Sequence, residues 1–152
     1  MKNLSLTKII TDYFMFLIIA ALLFSCSENK EEKDKTVTNT YTLTELLERD
    51  KDLSYDEFIK LKAKYENLKL QYLKDNSNYE TLLKLTEIYI YEARVSGEHP
   101  YYHQAALKTI AELLKNEKNL TKDQKFTTLF YKATVQLSQH NFTEALITGN
   151  KA

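Results

Sequence analysis

Ser54–Tyr72, SYDEFIKLKAKYENLKLQY, decides the fold class. Phe58, Leu61, Tyr65, Leu68 and Tyr72 step by 3, 4, 3 and 4 residues, while Lys, Glu, Asn and Gln fill most of the positions between. Residues at these offsets fall on one side of an α-helix, so the segment buries one stripe and solvates the rest. The spacing predicts a helix over 55–74. A coiled-coil seam of this kind needs more than the two heptads present, so a bundle or solenoid helix is the reading adopted.

The pattern repeats downstream. Leu82, Leu85, Tyr89 and Ala93 predict a helix over 79–95, and Ala106, Ile110, Leu113 and Leu114 predict a third. Pro100 opens that third helix, because a missing N–H is harmless in a first turn. Phe126, Leu129, Phe130, Ala133 and Leu137 predict a fourth helix near 122–139, and a fifth begins at Phe142 with Ala145 and Leu146. A short helix near 43–50 is expected upstream. Five start signals agree: Thr42–Glu45, Ser54–Glu57, Ser77–Glu80, Thr121–Gln124 and Asn141–Glu144 each set a capping residue three positions before Glu or Gln. Two Gly and one Pro in 152 residues leave few helix breakers. The fold class is therefore all-α.

The segment Leu129–Ala152, LFYKATVQLSQHNFTEALITGNKA, resembles a tetratricopeptide repeat. Ala133 stands at the small position of its first helix, Phe142 at the aromatic opening the second, and Ala145 and Ala152 at the small positions of the second. The spacings are 12 and 7 residues, and His140-Asn141 occupies the interhelical turn. Lys132 and Gln136 replace the usual large residues. A looser match runs from Leu82, Leu85, Thr86 and Tyr89 to Ala106, Leu107, Ile110 and Leu113. Its small positions, Thr86 and Ala106, are 20 apart, with a loop at Val95–Gln104 expected to hold the excess. The resemblance implies stacked antiparallel helix pairs, a tetratricopeptide-like α-solenoid. It also implies a concave face carrying Lys84, Glu87 and Tyr91 with Thr127, Tyr131, Thr134 and Ser138, where a partner protein or peptide is held. Because Ala152 falls inside the second helix of the last repeat, either the sequence is truncated or its exposed end packs on another chain.

The amino terminus carries an address. Lys2 and Lys8 precede Tyr13–Phe24, twelve uncharged residues that as a helix reach about 18 Å, against about 30 Å for a hydrocarbon core. That length suits an export signal over 1–25. Leu23-Phe24-Ser25-Cys26 resembles the lipobox of bacterial lipoproteins, which implies cleavage between Ser25 and Cys26 and a diacylglycerol on the Cys26 thiol. Residues 26–41 read as a flexible tether and 42–152 as the helical domain. Ser27 after the Cys resembles lipoproteins sorted to the outer membrane, and Lys30-Glu31-Glu32 resembles the export tag of surface lipoproteins of Bacteroidota. The expected location is the cell envelope, with the domain anchored to the outer membrane by lipid and facing either the periplasm or the exterior.

Charge and motifs narrow the function. Cleavage removes Lys2, Lys8 and Asp12 and leaves 19 basic and 20 acidic residues, net −1, with no basic stripe for nucleic acid. No Gly-rich phosphate loop, Gly-x-Ser-x-Gly elbow or His-Glu-x-x-His is present. An enzyme is not expected, and no cofactor is. His99 and His103 are four apart but expected to diverge around Pro100, so no metal site is assigned. Tyr89–Tyr102, YIYEARVSGEHPYY, reads either as packing around a long loop or as the lining of a ligand pocket. The function expected is a lipid-anchored protein–protein scaffold, with a solute- or glycan-binding envelope lipoprotein, or a fragment of one, as the alternative. If the anchor reading holds, cells fed radioactive palmitate label the wild-type chain, and Cys26→Ala abolishes the label and leaves an unprocessed precursor. Equal labelling of both would remove the anchor.

Overall fold

The computed structural model describes residues 41–50 and 54–152; the lipobox reading lies outside them, as does the tether reading except at Tyr41. The described residues form five α-helices: α1 Tyr55–Lys74, α2 Tyr79–Ser96, α3 His99–Lys115, α4 Lys122–Ser138 and α5 Phe142–Gly149, with a 3₁₀ turn at Glu117–Asn119. No strand occurs among them. None of these helices is long and apolar enough to cross a membrane.

The apolar stripes pack as their spacing demands. Phe58, Tyr65, Leu68 and Tyr72 of α1 are buried, as are Leu82, Leu85, Tyr89 and Ala93 of α2 and Ala106, Ile110 and Leu113 of α3. Fully burying one such side chain contributes about 1.5–3 kcal/mol. α2 and α3 approach closely where Thr86 and Thr109 face one another, their hydroxyl oxygens 2.7 Å apart. Thr109 donates to the Ala106 carbonyl at 2.7 Å and so accepts from Thr86. The expected loop at Val95–Gln104 does not exist. α2 continues to Ser96, α3 begins at His99, and only Gly97 and Glu98 connect them. Gly97 has φ +77°, the left-handed cap that a glycine adopts without steric cost. The excess residues are absorbed as longer helices.

Residues 41–50 correct the expectation of a short helix, for they lie outside any helix. They form a strap running antiparallel to α1. Tyr41 sets its ring edge-on to Tyr72 at 6.4 Å, Glu45 pairs with Lys69, and Glu48 pairs with Lys62. The step from Lys69 to Lys62 is about 10.5 Å at 1.5 Å per helical residue. Three extended residues at about 3.4 Å each cover the same distance. Backbone in this state needs polar partners, and tyrosines supply them. The Thr44 carbonyl accepts from Tyr65 Oη (2.8 Å) and from Tyr89 Oη, and the Glu45 carbonyl accepts from Tyr101 Oη (2.8 Å). Leu47 N–H donates to Tyr102 Oη at 3.0 Å. At the end of the strap Arg49 pairs with Glu92 of α2, both side chains 0% exposed. These contacts override the local helix signal at Thr42–Glu45.

The other start signals divide. Thr121 and Gln124 form the reciprocal capping box in full. The cap of α2 is Asn78, one residue past Ser77, accepting from Thr81 N–H at 3.1 Å. Ser54 and Asn141 precede α1 and α5 but make no side-chain cap bond. α4 also differs from its apolar pattern. Thr128, Leu129 and Val135 face inward, while Phe126, Phe130 and Leu137 are each more than half exposed. Phe142, Leu146 and Ile147 of α5 are exposed too, so an apolar surface spans the two helices.

Two outcomes follow from the strap. Arg49→Met leaves the Glu92 carboxylate buried without its cation and should lower urea-unfolding stability by about 3–5 kcal/mol, most of it recovered in the Arg49→Met/Glu92→Met double variant. Three phenols that hold the strap are raised, chiefly by burial: Tyr65 and Tyr89 upward, and Tyr102 to about 12. A phenol kept neutral by the fold stabilises it fully below its unfolded value near 10, and that stability is lost as pH rises through the folded value. Urea midpoints should therefore hold from pH 7 to 9 and fall above about 10, in step with tyrosinate absorbance. A flat profile to pH 12 would contradict this account.

Candidate functional site

A half-open groove of about 500 Å³ lies where α1, α2 and α4 meet. α1 contributes Glu57, Leu61 and Lys64, which fall on one face at offsets of four and three, beside the buried stripe. From α2 come Glu87, Ile88, Ile90, Tyr91 and Arg94, and from α4 Phe130, Tyr131 and Thr134. Leu61, Ile88, Ile90 and Phe130 make an apolar floor, with acids, bases and phenols along its rim. Phe130, misplaced as a core residue if judged by its spacing alone, has the groove for its surroundings.

The rim is partly locked. Tyr91 Oη donates to the Glu57 carboxylate, linking α2 to α1, and this bond pushes the Tyr91 phenol up. The Tyr131 phenol is raised by burial first and by Glu87 and Glu80 after it. Lys64 and Arg94 make no ion pair with a described residue, so two cations face solvent beside the apolar floor.

Four of the seven residues expected on a concave face line this groove together: Glu87, Tyr91, Tyr131 and Thr134. Lys84 is not among them and pairs with Glu80 at 3.4 Å. Thr127 is half-buried outside the lining. Ser138 borders a different cavity, and its hydroxyl donates to the Thr134 carbonyl at 3.0 Å. The α1 wall was not anticipated, because the repeat resemblance starts at Leu82. Its one signal is that Glu57, Leu61 and Lys64 recur on a single helical face. Within Tyr89–Tyr102 the expected long loop is absent: Tyr89 and Tyr102 are core, while Tyr91 and Arg94 border the groove.

The histidines also depart from expectation. His99 and His103 do not diverge; α3 begins at His99 itself, so both lie within it, one turn apart. Their ring centroids are 5.3 Å apart. Burial, and then the neighbouring His99, holds the His103 imidazole below its ordinary value. Among the described residues, no three His, Cys, Asp or Glu side chains are gathered tightly enough to hold an ion as they stand.

No protein-family model matches the chain, and neither a curated protein nor a solved structure matches it. The groove must therefore be interpreted from its own chemistry.

Proposed function

We propose that this chain is a lipid-anchored helical-repeat scaffold of the cell envelope that holds a partner protein or peptide in the groove between α1, α2 and α4. The observation that carries the reading is the make-up of that groove. Apolar floor, phenols and unpaired cations within one half-open trough of about 500 Å³ suit an extended or helical segment laid along it. Tyr91 and Tyr131 offer wide contact area with few rotatable bonds to immobilise.

The tetratricopeptide-like part of the proposal rests on pairing and small residues. α2 packs chiefly on α3 and α4 on α5, and Ala106 and Ala145, at two of the small positions, are buried. The anchoring part rests on Leu23–Cys26 alone. Together they support a protein that positions something else at a membrane.

A photo-cross-linking amino acid placed at Thr134, in the groove, and separately at Lys108, exposed on α3 outside it, tests the proposal in living cells. A discrete adduct from Thr134 and none from Lys108 is the expected outcome. The same pattern from both positions, or none from Thr134, would reject the scaffold. A thermal-shift screen in which a sugar, rather than a peptide, raises the melting temperature would favour the solute-binding alternative.

A further inference from the structure

All three histidines of the chain line one cavity. His99 and His103 stand one turn apart on α3, and His140 comes from the turn between α4 and α5. The cavity is about 480 Å³ and opens to solvent, with Pro100, Ser138 and Gln139 as its remaining lining. No carboxylate or ammonium group shares it.

His103 is only 5% exposed, yet none of the three rings forms a hydrogen bond with a described residue. The His103 nitrogens are not among the buried atoms left without a partner, so they meet the open cavity, where water or a ligand satisfies them. His140 is also held at φ 61°, in the left-handed region that a side chain with a β-carbon seldom enters.

The separation of the first two rings is the informative quantity. Their centroids lie 5.3 Å apart with the planes tilted by 42°. Two imidazoles bound to one tetrahedral Zn²⁺, each through a nitrogen about 2.0–2.1 Å away, place their centroids about 5 Å apart. The centroid separation of the pair matches the one a shared ion needs, leaving the ring nitrogens to be turned toward it.

We infer that His99 and His103 form a two-imidazole clip for a borderline divalent ion of the Zn²⁺ or Ni²⁺ kind, completed by His140 from across the cavity. Imidazole nitrogen suits such ions, whereas Mg²⁺ and Ca²⁺ demand oxygen ligands that this cavity lacks in number. The His140 ring lies edge-on to the exposed Phe142 at 5.8 Å, and joining the pair requires it to leave that ring and turn into the cavity all three histidines line. Water takes the fourth position. Ligation ties the start of α3 to the α4–α5 turn, so the ion stabilises the folded chain.

Calorimetric titration of the untagged full chain, stripped with chelator, tests this with ZnCl₂ and NiCl₂ as probes and MgCl₂ as the control. One ion per chain is expected from Zn²⁺ or Ni²⁺ and no saturable heat from Mg²⁺. His99→Gln and His140→Asn should each weaken the affinity by at least about tenfold. Both positions are exposed, and Asn tolerates the left-handed backbone, so helicity by circular dichroism should be unchanged. Cys26 is retained in all three proteins, and any ion held there is common to them. No saturable uptake by the wild type, or wild-type affinity in either variant, overturns the site.

Discussion

A guanidinium and a carboxylate that have both left water hold the strap to the helices. Each ion costs several kcal/mol to desolvate, so Arg49 and Glu92 tolerate burial only in one another's company. The Arg49 guanidinium also stands 5.3 Å from the centre of the Phe58 ring and donates to the Ser54 carbonyl at 3.4 Å. One side chain therefore joins the strap, the first turn of α1 and the second half of α2. Were the pair absent, the tyrosine hydroxyls would still meet Thr44 and Glu45, but the end of the strap would lose its buried charged contact with α2.

That arrangement marks where local sequence stops being informative. The helices were legible because their signals are close in sequence: Phe58 to Tyr72 and Leu82 to Ala93 each spell out a single face. The strap was not. The Thr44 carbonyl takes its partners from residues 21 and 45 positions away, and Arg49 takes its own from 43 away. A capping pattern at Thr42–Glu45 is a local argument, and distant hydroxyls outweighed it. Pro100 misled in the opposite direction. A proline between two histidines reads as a boundary, but a helix that starts one residue before it keeps both rings on one face.

The groove shows the same division. Glu87, Tyr91, Tyr131 and Thr134 were reachable from a repeat register, because each pair of helices presents a defined side. Leu61 and Lys64 were not, since α1 precedes the first recognisable repeat. Exposure of Phe126, Phe130 and Leu137 shows that apolar periodicity identifies a helix more securely than it identifies the face turned inward. α4 instead buries Thr128, whose hydroxyl is satisfied by the Gln124 carbonyl at 2.7 Å, and so turns the aromatic flank outward at little polar cost.

The direction of the strap has a mechanical consequence. It runs antiparallel to α1, with Tyr41 beside Tyr72 and Arg49 beside Phe58, and is fastened at intervals along its length. Tension applied to residue 41 along the strap is shared as shear among phenol–carbonyl contacts, surface ion pairs and the buried pair. Pulled away from α1, those fastenings are loaded one after another, and they part at a lower force. The helical stack would thus resist a tug according to its direction, and the register of a ten-residue segment would determine which tugs it withstands.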